Sequence, residues 1–74
     1  MNVQKLNQVI SNGYNMRVVS STDNHIRISI GGSERVLEVE HSVPVADQIN
    51  SCRWGLGCAP MQPDDYQLVR DLQK

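Results

Sequence analysis

The segment from His25 to Glu40 constrains the fold more than any other part of the sequence. It reads HIRISIGGSERVLEVE, with isoleucine at every second position up to Ile30, then Gly31-Gly32, then a second alternating run. Alternation with a period of two predicts a strand that buries one face. A Gly-Gly pair between two such runs predicts a tight β-hairpin.

The hydrophobic pattern also predicts how the two strands of this hairpin pair. If Ile30 pairs with Ser33, then His25 lies opposite Glu38 and Leu37 shares a face with the isoleucines. A shift by one residue would mix isoleucine with glutamate on the same face. The register that keeps the apolar residues together is therefore favoured.

Helical spacing and turn residues predict the remaining elements. Asn2 can cap a first helix, and Asn12-Gly13 can end it in the left-handed conformation. The predicted elements are a helix over 2–12, strands over 14–21, 25–30 and 34–40, a short helix capped by Ser42 and carrying Val45, Ile49 and Cys52, a glycine-broken loop over 54–60, and a helix that opens at Pro63. We therefore expect an α+β fold of order αβββαα in a single domain over residues 1–74, with the helices on one face of an antiparallel sheet.

Size and charge limit what such a domain can do. A chain of 74 residues buries only ~60% of its unfolded surface, so function is expected on the surface and not in a deep cavity. The formal net charge of −1 gives no large positive field for binding nucleic acid. Because no run of about 18 apolar residues occurs, the sequence predicts a cytoplasmic protein that does not enter a membrane.

The cysteines and histidines do not have the spacing of a metal site. Cys52 and Cys58 fit neither a redox pair nor a zinc knuckle, and buried thiols are the simplest interpretation. A mixed site with His25 and His41 would have suitable atoms but unsuitable spacing. We therefore expect no metal and no cofactor.

The face of the sheet that the helices leave open is the candidate functional surface. Arg27 lies at its centre, and two interpretations stay open. Either Arg27 or His25 simply pairs with Glu38 on a solvated face, or the face recognises a partner. The candidate binding residues are Arg17, Val19, Arg27, Val36, Glu38 and Glu40.

His25 is the candidate catalytic residue of this face. An opposed Glu38 would orient the imidazole for general base catalysis, whereas the alternative is an exposed histidine without a chemical role. His41 follows the third strand and is expected to cap or bridge to the second helix.

Several segments resemble the HicA (YcfA-like) toxin family. Gly13-Tyr14 is similar to the end of that family's first helix, and Asn24-His25-Ile26-Arg27-Ile28 is similar to its histidine signature. Arg35–His41 is similar to its valine-rich third strand. Gly55-Leu56 and Asp64-Asp65-Tyr66 are similar to its final loop and helix.

This resemblance implies a small ribonuclease with a fold like that of double-stranded-RNA-binding domains. It implies that the chain cleaves mRNA and is silenced by a HicB-like antitoxin. It further implies that His25 abstracts the 2′-hydroxyl proton of RNA while the basic residues of the sheet position the phosphate.

The first thirty residues also resemble small phage anti-CRISPR proteins of αβββαα build. This second resemblance implies a non-enzymatic inhibitor that binds a CRISPR effector protein. The use of His25 divides the two possibilities, because a nuclease needs the imidazole whereas a binding protein needs the shape and charge of the face.

Overall fold

A computed structural model of the protein describes residues 1–74 and has the predicted order of elements. The helices and strands are α1 (Val3–Ile10), β1 (Met16–Ser21), β2 (His25–Ile30), β3 (Ser33–Glu38), α2 (Val45–Gly55) and α3 (Pro63–Leu72). The three strands form one antiparallel sheet in the order β1-β2-β3. The predicted α+β fold of order αβββαα is thus confirmed. None of the helices has the length and apolar character needed to cross a membrane.

The β2–β3 hairpin has the register that the hydrophobic pattern predicts. Ile30 pairs with Ser33, and His25 pairs with Glu38. Gly31 and Gly32 have φ angles of +56° and +89°, which side chains disfavour and which a tight hairpin turn of this type requires at both positions. The two glycines therefore fix the register as well as the turn.

The pairing of β1 with β2 contains a β-bulge that the sequence pattern does not reveal. Val18 pairs with Ile28, but the next pair joins Ser20 to Arg27, so Val19 is an extra residue without a partner of its own. Simple alternation along β1 would place Ser20 on the same side of the sheet as Val18, and the structure does not. The bulge reverses the alternation after Val18 and brings the Ser20 position opposite Arg27.

Helix α1 begins at the predicted cap but ends at Ile10, two residues before the predicted end at Asn12. The Lys5 N–H donates a hydrogen bond to Asn2 Oδ1 at 3.0 Å, which caps the first turn. After the helix, Gly13 has a φ of +86°, a conformation that glycine adopts without strain. The chain then turns into β1, which begins at Met16, two residues later than predicted.

Helix α2 differs from the prediction at both ends. Its N-cap is Pro44 and not Ser42, and the first helical N–H, that of Val45, donates instead to Gln73 Oε1 at 2.8 Å. At the other end the helix includes Trp54 and Gly55, which the sequence pattern assigned to the following loop. With 11 residues, α2 is the longest element and not a short one.

The helices cover one face of the sheet and form the core with it. Ile26, Ile28 and Ile30 of β2 are buried on this face, as the alternation predicts. The other members of the core are Leu6, Ile10, Met16, Leu37, Val45, Ala46, Ile49, Met61 and Val69. The helices leave the opposite side of the sheet uncovered.

Each edge strand of the sheet has one residue that is hydrogen-bonded to an amide side chain of a helix. Asn7 of α1 accepts a hydrogen bond from the Val18 N–H of β1 at 2.8 Å. Gln48 of α2 accepts from the Glu38 N–H at 3.0 Å and donates to the Glu38 carbonyl at 2.8 Å. Each amide thus occupies backbone groups that a further strand would use.

Candidate functional site

The strand register defines which residues share the uncovered side of the sheet, called the outer face below. Register partners on adjacent strands lie on the same side of the sheet. The outer face therefore contains Arg27, the residues two positions before and after it on β2, and the register partners of these three residues on β1 and β3. The outer face consists of Arg17, Ser20, His25, Arg27, Ser29, Glu34, Val36 and Glu38.

Arg27 lies at the centre of the outer face, as predicted. It pairs with Ser20 on β1 and with Val36 on β3. Val36 is 55% exposed although it is apolar. The guanidinium of Arg27 has no carboxylate partner, because the contacts between carboxylates and basic side chains join Glu38 to His41, Asp47 to Arg70 and Asp71 to Lys74. The solvent-facing Arg27 is therefore free to bind an external group.

Two of the predicted binding residues occupy other positions than expected. Val19 is 39% exposed, but it is the extra residue of the bulge and has no register partner. Ser20 lies opposite Arg27 in its place. Glu40 lies beyond β3, which ends at Glu38, the register partner of the first residue of β2. Arg17, Arg27, Val36 and Glu38 lie on the outer face, as predicted.

The predicted contact between His25 and Glu38 does not form, although the two residues are register partners. Glu38 Oε2 lies 3.6 Å from Nε2 of His41 instead. The His25 ring is exposed, and no carboxylate lies within ion-pair distance of it. The simple cross-strand pairing of Glu38 with Arg27 is absent as well. His25 thus lacks the orienting group that general base catalysis would use.

His41 has the bridging position that the sequence predicts. Its Nδ1 accepts a hydrogen bond from the Val43 N–H at 3.1 Å, and its Nε2 faces Glu38. This arrangement places the ring proton on Nε2, because Nδ1 acts as the acceptor. His41 therefore connects the end of β3 to the segment that leads into α2.

A small pocket on the outer face brings the candidate catalytic residue and the central binding residue together. His25 and Arg27 line it, with Val36 and the hydroxyl residues Ser20, Ser21 and Thr22 around them. Its volume is about 90 Å³, which suits a single polar group better than a whole ligand. The bulge contributes to this pocket by bringing Ser20 in line with Arg27.

The charges of the outer face are balanced. Two arginines, Arg17 and Arg27, lie on the same face as two glutamates, Glu34 and Glu38. A polyanion would gain from neutralisation by the arginines and lose from repulsion by the glutamates. A surface that carries both signs matches a partner with complementary charges of both signs.

Arg53 has a structural role that the sequence pattern does not reveal. It is only 8% exposed, and its Nε and Nη1 donate hydrogen bonds to the carbonyls of Ala59 at 2.7 Å and Tyr14 at 3.0 Å. The guanidinium also lies 5.1 Å from the centre of the Tyr14 ring. This group of contacts, called the Arg53 junction below, joins α2 to the segment before β1 and to the loop before α3.

Tyr14 extends the Arg53 junction to α3. Its hydroxyl donates a hydrogen bond to Asp65 Oδ2 and accepts one from the Gln62 N–H at 2.9 Å. Burial raises the pKa of Tyr14 above its ordinary value, and the hydrogen bond to Asp65 raises this pKa further. Tyr14 therefore connects the segment before β1 to both α2 and α3.

Trp54 lies next to Arg53 in the sequence but points to solvent and is 82% exposed. Helical periodicity could have found this surface, since residues four and seven positions apart lie on one side of a helix. The glycines that follow Trp54 predict a loop, although Trp54 lies in α2. Trp54 shares a surface cleft with Asp47, Asn50 and Ser51 of α2, Gly55, and Pro60.

Neither cysteine has the fully buried position that was predicted. Cys52 and Cys58 are both partly exposed, and both are free thiols. No three side chains of histidine, cysteine, aspartate or glutamate converge in a group that could hold a metal ion.

Comparison with known proteins finds no family model, curated protein or solved structure that matches this chain.

Proposed function

We propose that this protein is a non-enzymatic binding protein that inhibits a macromolecular partner through its outer face, with Arg27 as the central contact. The observation that carries this proposal is an exposed arginine without an ion-pair partner, in line with an exposed valine on a face of balanced charge. Arginine is enriched among residues that dominate binding energy, and apolar neighbours shield its contacts from water.

The partner class proposed for this surface is a CRISPR effector protein. The resemblance to small phage anti-CRISPR proteins supports this class, and the balanced charge of the outer face fits a protein better than it fits RNA. An effector surface that binds Arg27 would offer a carboxylate next to an apolar group.

The test compares two charge reversals on the same sheet. Arg27→Glu changes the centre of the outer face. Arg35→Glu is the control, because Arg35 pairs with Ile28 and therefore lies on the other side of the sheet. Each variant is expressed in cells that carry an active CRISPR effector of one type at a time, and phage plating efficiency is measured. The parent and Arg35→Glu are expected to restore plating with one effector type, whereas Arg27→Glu is not.

The affinity of each variant for that effector measures how much the charge reversal weakens binding. Reversal of a charge in a buried contact is expected to weaken binding by about 2–5 kcal/mol. If Arg27→Glu keeps its melting temperature and inhibits as well as the parent, the outer face is not the binding surface. If the parent protects against no effector type, the proposed partner class is wrong.

A second candidate function is the mRNA-cleaving ribonuclease that the resemblance to the HicA family implies. The small pocket that His25 and Arg27 line with three hydroxyl residues favours it, because it offers an imidazole beside donors for a phosphate. In this mechanism His25 takes the 2′-hydroxyl proton, Arg27 holds the phosphate, and a HicB-like antitoxin is the partner.

The ribonuclease candidate is tested by RNA cleavage with two histidine variants. His25→Ala is expected to lower the rate by a factor of ~10²–10⁴ without changing the fold, since the ring is exposed. His41→Ala is the control, because His41 touches the β3–α2 connection and not the pocket. Absence of cleavage by the folded parent, or equal cleavage by His25→Ala, would exclude this candidate.

A further inference from the structure

Trp54 is available for binding because the fold does not use its side chain. It is the one tryptophan of the chain, and 82% of it is exposed. The neighbouring Arg53 points inward and carries the hydrogen bonds that hold α2 in place. A large aromatic side chain left in water contributes little to folding but offers a large area to a partner.

The cleft beside Trp54 has walls that are fixed by hydrogen bonds. Asn50 Oδ1 accepts from the Met61 N–H at 2.9 Å, which holds the loop that contains Pro60. Asp47 Oδ1 accepts from the Tyr66 hydroxyl at 2.8 Å, which fixes the carboxylate. The cleft measures about 730 Å³ and is wide and shallow. Its shape is therefore set before anything binds.

The polar groups of the cleft favour a cation. Asp47 is the one charged residue that lines it, and neither lysine nor arginine does. Asn50 and Ser51, which lie between Asp47 and Trp54 along α2, also line the cleft. An indole face attracts cations, and a guanidinium donates hydrogen bonds in a fork that fits carboxylate and amide oxygens.

The protein already shows the same attraction on the other side of the carboxylate. Arg70 of α3 lies with Nη1 4.0 Å from Asp47 Oδ2 and with its guanidinium 5.8 Å from the centre of the Tyr66 ring. The Tyr66 hydroxyl accepts a hydrogen bond from Arg70 Nη1 at 2.9 Å. A carboxylate beside an aromatic ring thus binds a guanidinium on the α3 side, and Trp54 supplies a second ring on the open side.

We infer that the cleft between Trp54 and Asp47 binds an arginine side chain of a partner protein. A small cationic ligand would remain largely in water in so shallow a cleft, whereas effective small-molecule sites bury most of their ligand. A protein can cover the exposed indole and exclude water around the arginine, as interfaces do around their central residues. This site lies in the helical layer and does not depend on the outer face.

The test uses the indole N–H of Trp54 as a single nuclear magnetic resonance probe. The protein is titrated with three capped tripeptides, Gly-Arg-Gly, Gly-citrulline-Gly and Gly-Glu-Gly, of which citrulline has the shape of arginine without its charge. Only the arginine peptide is expected to give a saturable shift, in the millimolar range that one side chain supports. Equal shifts with citrulline, or none with arginine, would overturn the inference.

Three variants assign the response to the cleft. Trp54→Ala, followed through the Ser51 amide, should abolish binding, and Asp47→Asn should weaken it roughly threefold to tenfold while still accepting from Tyr66. Leu68→Ala, at another exposed apolar residue on α3, should bind like the parent. Unchanged binding by Asp47→Asn would contradict the role of the carboxylate. A dimer in sedimentation that Trp54→Ala dissociates would show that a second copy covers the cleft and would also overturn the inference.

Discussion

The outer face and the Arg53 junction each contain an arginine close to exposed apolar residues, yet the two arginines do opposite things. Arg27 is exposed and has no ion-pair partner, whereas Arg53 is buried and donates to two backbone carbonyls. The charge of Arg53 is used by the fold, and the charge of Arg27 is left for another molecule. An arginine therefore indicates a binding surface only when its donors are not satisfied within the chain.

The largest effect is expected from removing the buried arginine. Arg53→Met keeps much of the side-chain volume but leaves the carbonyls of Ala59 and Tyr14 without their donor. Each hydrogen bond from a charged group contributes about 1.5–3 kcal/mol, so the melting temperature should fall by more than about 8 °C. Thermal denaturation followed by circular dichroism measures this, with the exposed Arg35→Met as the matched control. Equal melting of the two variants would show that the junction does not hold the helices.

A smaller loss of stability is expected for Tyr14→Phe. The variant removes the hydrogen bond to Asp65 and the acceptor for the Gln62 N–H but keeps the ring beside Arg53. We expect a loss of about 1–2 kcal/mol in the free energy of unfolding at neutral pH, measured by urea denaturation. A variant as stable as the parent would show that the hydroxyl of Tyr14 does not stabilise the junction and that Arg53 alone does.

The same variant tests the raised pKa of Tyr14 at high pH. Because this pKa is higher in the folded than in the unfolded chain, the stabilisation is present below the unfolded value of about 10 and is lost as the pH rises through the folded value. The parent should therefore lose stability between neutral pH and strongly alkaline pH faster than Tyr14→Phe does. Parallel loss in both proteins would contradict this assignment.

The smallest effect is expected for Arg27→Glu in the absence of a partner. The side chain is exposed and has no ion pair to lose, so the free energy of unfolding should change by no more than about 0.5 kcal/mol. Urea denaturation of the purified variant measures this value beside that of Arg53→Met. A large loss from Arg27→Glu would mean that the outer face stabilises the fold, and the contrast between the two arginines would fail.

The sequence predicts those parts of the fold that local patterns determine. The alternation around Gly31-Gly32 is sufficient for the β2–β3 register, since only one register buries the isoleucines together. The helix starts at Asn2 and Pro63 follow from side-chain and ring geometry within one turn. The element order follows from these signals, because each change of period marks a new element.

Long-range contacts decided the features that the sequence did not predict. The bulge at Val19 leaves no sign in the alternation of β1, because valines and serines fit either face of a strand. Helix α2 starts later than predicted because Gln73, 28 positions away, accepts from the Val45 N–H. Glu38 faces His41 and not its register partner His25, a choice between two nearby histidines that register alone does not make. The inward direction of Arg53 likewise depends on carbonyls from two other segments.

The amide side chains at the two edges of the sheet bear on how copies of this protein behave at high concentration. An open sheet edge is a template on which strands of neighbouring molecules can add and extend into fibrils. Asn7 and Gln48 occupy backbone groups of β1 and β3 from within the same chain, so an incoming strand would first have to displace them. Two neutral residues thus favour solubility without adding charge, and the outer face keeps its balance of two arginines and two glutamates for recognition.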